Sequence, residues 1–212
     1  MKIHTCFITY NRLELTKRAI HTYLETVSAP WTAVVVDNNS TDGTFEWLWS
    51  DPIFRKGPQL RAVTLPDNFY PGRACNIGWQ LAPEDADFLH RADNDFIFLK
   101  DWCSEVEERF QDAELGQLGL RTNDEELWNP HNVGGNCIVR RQLWDEGLRW
   151  DERKWTQIKA AGYTEDSYFS PAVERMGWKW GRVEKRCIVP ISREDPNDPY
   201  YIATWADRGI IK

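Results

Sequence analysis

Three acidic groupings in this 212-residue chain have residue types and spacings that can do chemistry. Asp93-Asn94-Asp95 sets two carboxylates around one residue, directly after an apolar run. Their repulsion favours a cation beside them, and hard oxygen ligands suit Mg²⁺ or Mn²⁺, which would in turn hold nucleotide phosphates. The same spacing also suits a plain turn in which each aspartate bonds its own backbone. In Asp37-Asn38-Asn39-Ser40-Thr41-Asp42-Gly43-Thr44 a carboxylate closes a strand, and Asn39 with Asp42 makes a capping pattern. Asp37 reads either as part of a well-capped loop or as an acceptor of hydrogen bonds from a base or ribose. Glu165-Asp166 heads an expected helix over 165–176, with Thr164 as its cap. A helix dipole favours acids in its first turn, and a carboxylate so placed can also take a proton from a hydroxyl as a general base.

Other chemistry-bearing residues carry less pattern. His4 and His90 fall in expected strands and His21 on an expected helix, which suits packing. His131 lies instead in the polar loop Trp128-Asn129-Pro130-His131-Asn132. Most of the twelve tryptophans are expected in the core. Trp128, Trp144, Trp150 and Trp155 sit in an irregular region and are candidates to stack on a sugar or a base. No Gly-rich dinucleotide or P-loop signature occurs, and neither does H-E-x-x-H or G-x-S-x-G. Dinucleotide, P-loop, metalloprotease and α/β-hydrolase readings are therefore poor.

The elements that must position these groups alternate. Strands are expected at 3–9, 33–37, 60–65 and 86–91. Helices fall between them, the first running from Leu13 to Val27, capped by Asn11 with Glu14 as box partner. The others cover 45–49 and 73–81. The β-branched run Val34-Val35-Val36 suits a strand buried on both faces. Strands separated by helices imply right-handed crossovers and a mostly parallel sheet. Ligands of such sheets bind beyond the carboxyl ends of the strands. Thr9-Tyr10-Asn11, Asp37-Asn38-Asn39 and Asp93-Asn94-Asp95 all fall at such ends. Further on, the pattern gives a helix at 101–110 capped by Asp101, strands at 118–121 and 133–140, and a helical turn at 141–146. Pro171 lies inside the helix at 165–176, and strands follow at 178–183 and 186–191.

Acidic residues outnumber basic ones 33 to 26, for a net charge of −7. That disfavours nucleic acid and anionic lipid as partners, because both need clustered Lys and Arg. Apolar residues at 42% and charged ones at 28% make a globular composition. No run approaches the roughly 18 apolar residues of a membrane span, and the opening Met1-Lys2-Ile3 lacks the form of a signal peptide. Five cysteines without a C-x-x-C pair suit reduced, inert thiols rather than disulfides or zinc. A single cytoplasmic domain over 1–212 is expected, with an α/β front half and a mixed back half.

The order and spacing of these motifs resemble the family 2 glycosyltransferases of the GT-A fold. The matching pieces are Phe7-Ile8-Thr9-Tyr10-Asn11-Arg12, then Val34 to Thr44, then Asn68 with Gly72-Arg73-Ala74-Cys75-Asn76-Ile77-Gly78. Phe88 through Asp93-Asn94-Asp95 follows, then Gly134-Gly135-Asn136 with Arg140-Arg141, and finally Glu165-Asp166 with Arg175-Met176-Gly177. The resemblance covers about residues 3 to 180.

The resemblance implies a Rossmann-like, mostly parallel sheet, with residues 1–98 binding nucleotide and 99–212 binding acceptor. It implies transfer of a sugar, with inversion, from a nucleotide-diphosphate sugar (a UDP-sugar first among them) to a hydroxyl of a glycan, protein or small molecule. Thr9, Tyr10, Asn11 and Asn39 would line the donor pocket, Asp37 would bind base or ribose, and Arg73 would reach the base or diphosphate. Asp93 would touch ribose or metal, and Asp95 would ligate Mn²⁺ or Mg²⁺. Asp166 would be the base, with Glu165 beside it, and Trp128, His131 and Gly135 would face the acceptor. The chain departs from the pattern in having no histidine beyond His131 as a further metal ligand; Ser192-Arg193-Glu194-Asp195 or water would substitute. A non-catalytic carbohydrate-binding domain and a sugar nucleotidyltransferase are the competing readings.

Overall fold

The structure, a computed structural model, describes residues 1–55, 57–121, 131–153, 157 and 165–191. Trp128, Trp155, Thr164, the segment 192–195 and the side chain of Glu165 lie outside the described residues.

Apolar runs form the centre. β1 (Ile3–Thr9) is buried along its whole length, and it is joined by β2 (Trp31–Asp37), β3 (Leu60–Thr64) and β4 (Phe88–Asp93). Strands buried on both faces need cover on both faces. Helices α1 (Leu13–Thr26), α2 (Thr44–Ser50) and α3 (Tyr70–Gln80) lie between them in the chain. The remainder supplies β5 (Phe96–Phe98), α4 (Trp102–Arg109), β6 (Leu115–Gly119), β7 (Cys137–Arg140) and α5 (Arg141–Asp145). It ends with α6 (Glu165–Arg175), β8 (Lys179–Arg182) and β9 (Ile188–Pro190).

The main sheet has seven strands in the order β3-β2-β1-β4-β7-β6-β8. β7 runs antiparallel to β4 and β6, and every other neighbouring pair is parallel. β5 and β9 make a separate antiparallel ribbon. The chain steps outward from β1 to β2 and β3, then returns to place β4 on the other side of β1. That reversal opens a crevice at the carboxyl ends of β1 and β4. Thr9 lies level with Asp37, and Ile8 with Asp93, so three strand tips end together there. Alternate residues of β1 feed different layers: Phe7 joins Tyr23, Phe98 and Trp102, while Cys6 and Ile8 join Trp79, Trp150 and Phe169. All five cysteines are buried and free.

Several boundaries and caps differ from expectation. β4 runs on to Asp93, because that residue still pairs with β1 and its N–H donates to Asn136 Oδ1 at 3.1 Å. Asp93 therefore closes the strand rather than following it. β6 begins three residues and ends two residues earlier than expected, and β7 begins only at Cys137, after Gly134 at φ 80°. A 3-10 turn at Pro52–Arg55 and strand β5 were not anticipated. Asn11 does not cap α1: Asn11 and Arg12 are both left-handed, Arg12 is the N-cap, and the Leu13 N–H donates to Asp42 Oδ2 at 2.8 Å. The N-cap of α2 is Gly43 at φ 93°, not Asn39, and Asp42 Oδ1 accepts the Thr44 N–H instead. Asp101 precedes α4 in a left-handed conformation without a side-chain cap bond. Among the described residues no helix is long and apolar enough to cross a membrane.

Candidate active site

The first wall of the crevice is built by two loops stapled together. Asn11 Oδ1 accepts the Thr41 N–H at 2.8 Å, and the Asn11 N–H donates to Ser40 Oγ at 2.7 Å. Ser40 in turn donates both its N–H and its hydroxyl to Oδ1 of Asp37. Asp37 is fully buried, and its Oδ2 has no hydrogen-bond partner among the described residues. Burial pushes its carboxyl above the ordinary value, and the two bonds from Ser40 pull partly back. A buried carboxylate oxygen without a donor is costly, so a ligand N–H or O–H brought to it gains a strong bond.

Around Asp37 the residues divide by exposure. Thr9 is buried, and its hydroxyl bonds Thr16 Oγ1 at 2.9 Å and Asn94 Nδ2 at 3.2 Å. Tyr10 and Asn39 are exposed, the latter left-handed at φ 67°. Arg73 is exposed on α3, its guanidinium 4.1 Å from the ring centre of Phe69, whose N–H donates to Asn38 Oδ1.

The second wall is a line of paired charges. Arg12 Nη1 lies 3.0 Å from Asp95 Oδ2, and the Asp95 carbonyl accepts the Ile191 N–H, which ties this turn to the β9 side. Asp93 is held through both oxygens: Oδ1 lies 3.2 Å from Arg91 Nε, and Oδ2 accepts from Asn136 Nδ2 at 3.3 Å. Arg91, 3% exposed, also reaches α6, where its Nη1 lies 3.2 Å from Asp166 Oδ1. Its guanidinium sits 4.4 Å from the ring centre of Trp150, whose ring stacks on Phe169 at 3.7 Å. Asn76 fixes that tryptophan through two bonds to its backbone at 3.0 Å. A Cβ on Gly135 would fall 2.6 Å from Asp93 Oδ2 and 2.8 Å from Arg91 Nη2, so bare backbone closes over this ion pair.

The structure thus gathers Thr9, Asn11 and Asp37 at the β1–β2 tips, and Asp93, Asp166 and Gly135 around one guanidinium. His131 occupies an exposed turn. The stacking expectation for Trp144 and Trp150 is corrected: both are buried, and Trp150 is sandwiched between Phe169 and Arg91. Arg91 escaped the sequence reading, which treated it as an ordinary strand residue. Its signal was available, since an arginine inside the apolar run from Phe88 to Ala92 must find counter-charges.

The family model described as glycosyl transferase family 2 matches residues 5–141. A comparison with curated protein sequences finds no match. Among solved structures, the mannosyltransferase PcManGT from Pyrobaculum calidifontis, in complex with GDP-Man and Mn²⁺, is similar at a TM-score of 0.72 and 19% identity. The match covers 97% of this chain and 60% of that one. S. aureus TarS 1-349 matches at a TM-score of 0.68 and 17% identity, over 92% of this chain and 61% of its own. The same TarS fragment in complex with UDP-GlcNAc matches at a TM-score of 0.62 and 20% identity, over 80% and 52%. The chain thus spans about three fifths of the length of PcManGT and of TarS 1-349. At these identities the likeness establishes the GT-A type of fold. Because the family match takes in well over half of the sequence, the chain belongs to glycosyl transferase family 2.

Proposed function

We propose that this chain transfers one sugar from a nucleotide-diphosphate sugar, a UDP-sugar first among them, to a hydroxyl acceptor with inversion at the anomeric carbon. One observation carries the reading: Asp37 and Asp93 end β2 and β4, the two strands that flank β1, Asp95 stands in the turn just after β4, and Arg91 brings Asp166 of α6 to the same place. Membership of the family supports it, as do the nucleotide sugars bound by PcManGT and TarS. In this reading residues 1–98 hold the donor and 99–212 the acceptor, in the cytoplasm.

The open oxygen of Asp37 takes a hydrogen bond from the base or ribose, within a pocket edged by Thr9, Tyr10, Asn11 and Asn39. Arg73 lies toward the diphosphate and offsets the charge that builds there as the glycosidic bond breaks. Asp166 accepts the proton of the attacking hydroxyl, which approaches opposite the leaving diphosphate. Glu165 is the neighbouring carboxylate. Trp128, His131 and Gly135 are the residues assigned to the acceptor, which would be a glycan, a protein side chain or a small molecule; Trp128 lies outside the described residues.

Among the described residues no group of three or more His, Cys, Asp or Glu can hold a metal ion. The donor set still fits Mn²⁺ or Mg²⁺, because such ions are commonly held by one or two carboxylates completed by substrate phosphates and water. Asp95, with Arg12 beside its Oδ2, is the direct ligand in this reading, as the family resemblance implies. Asp93 is the second candidate. When bound, the ion supplies positive charge to the leaving diphosphate.

The reading is tested by incubating the chain with UDP- and GDP-sugars and Mn²⁺ and measuring free nucleoside diphosphate. Release from one donor is expected. Absence of release, with no thermal stabilisation by any donor, would refute the reading.

A further inference from the structure

We infer that Arg91 is a positioning residue: its buried guanidinium clamps helix α6 to the tip of β4 and thereby sets where Asp166 stands in the crevice. For turnover this rests on the proposed function, but the clamp itself is a structural claim. An arginine keeps its charge under all ordinary conditions, so a buried one must be surrounded by acceptors. Here Asp93 and Asp166, contributed by β4 and α6, each come to 3.2 Å of a different nitrogen of one planar fork. Nε donates to Asp93 Oδ1, and Nη1 meets Asp166 as an ion pair without hydrogen-bond alignment, so a planar fork of fixed charge spans both carboxylates, which a lysine ammonium does not do.

The clamp is braced on every side. Asn136 holds the far oxygen of Asp93, Trp150 lies under the guanidinium, and the backbone of Gly135 leaves no room above it. Stability alone does not explain the arrangement. Both carboxylates keep about a third of their side-chain surface exposed and would be solvated without Arg91. A buried ion pair contributes little net stability compared with an apolar side chain of similar volume. A methionine would fill the space against Trp150; it would not hold Asp166. Further along α6, the Val133 N–H donates to Ser170 Oγ at 3.2 Å and Phe169 packs on Trp150, while at its first turn Asp166 meets Arg91.

The test uses the full chain with Arg91→Met, Arg91→Lys and Asp166→Asn, read first by hydrogen exchange of amides 166–175 against those of β1. Exchange in α6 is expected to rise about tenfold in Arg91→Met and Asp166→Asn, with Arg91→Lys between, while β1 stays protected. On the donor that the wild type uses, Arg91→Met lowers kcat about 100-fold and leaves the donor KM within about threefold. Added to Asp166→Asn, it costs less than about threefold more, because both act through one carboxylate. Unchanged α6 exchange in Arg91→Met overturns the clamp, and so do fully multiplicative losses of kcat. If no donor turns over in the wild type but α6 loosens, the glycosyl-transfer reading falls and the clamp stands. If Arg91→Met does not fold, exchange in Asp166→Asn decides alone.

Discussion

The guanidinium of Arg12 lies 3.0 Å from Oδ2 of Asp95, the carboxylate proposed to meet the metal. Both side chains are mostly buried at that contact, so the pair is shielded from solvent and its partners are not exchanged without cost. A cation arriving alone must displace or share an arginine. A diphosphate arriving with it offers that arginine another anion.

Metal and nucleotide should therefore bind together. Titration calorimetry is expected to show Mn²⁺ binding at least about tenfold more tightly with UDP present than without it. Equal Mn²⁺ affinity in both conditions would contradict the exchange.

The orphan oxygen of Asp37 makes a second prediction. Because burial raises this carboxyl, the charged form is disfavoured in the fold, and its contribution to stability is lost as pH rises through the raised value. Asp37→Asn keeps an acceptor for Ser40 and removes the buried charge. Its Tm at pH 7 should equal or exceed that of the wild type, while UDP affinity falls by at least about tenfold. A lower Tm with unaltered UDP affinity would assign Asp37 to the loop alone.

Acid sensitivity follows from two histidines. Burial pushes His90 down to about 3 and His4 to about 4, so both are neutral in the fold. In the unfolded chain they take protons below about pH 6.5. Their contribution is thus intact above that pH and declines toward about 4 for His4 and about 3 for His90. Denaturant unfolding between pH 7 and 5 should show stability falling by about 1.4 kcal/mol per pH unit for each histidine once below pH 6. A flat profile over that window would contradict their burial as neutral rings.

How much of this was legible in the sequence depended on whether the partner was local. The buried strands at 3–9 and 33–37 announced themselves through unbroken apolar, β-branched residues, and α1 and α6 through helical spacing. Caps were misread because their donors and acceptors come from distant loops: Leu13 is capped by Asp42, and Ser40 serves both Asn11 and Asp37. Left-handed Asn11, Arg12 and Asp101 carry no glycine to mark them. The end of β4 was placed short because its last hydrogen bond is to Asn136, whose position depends on β7. Arg91 was missed for the same reason, since Asp166 lies far along the chain and only the fold brings the two together.

The proposed site holds a nucleotide sugar through Asp95 and deprotonates an acceptor through Asp166. This is tested most directly by measuring nucleoside diphosphate release from a donor panel with Mn²⁺, in the wild type, Asp95→Ala and Asp166→Asn. Release by the wild type and loss of Mn²⁺-dependent donor binding in Asp95→Ala are expected. Asp166→Asn should retain binding, with turnover lowered about 10²- to 10⁴-fold. Full turnover in Asp166→Asn, or Mn²⁺-dependent binding unchanged in Asp95→Ala, would contradict these roles.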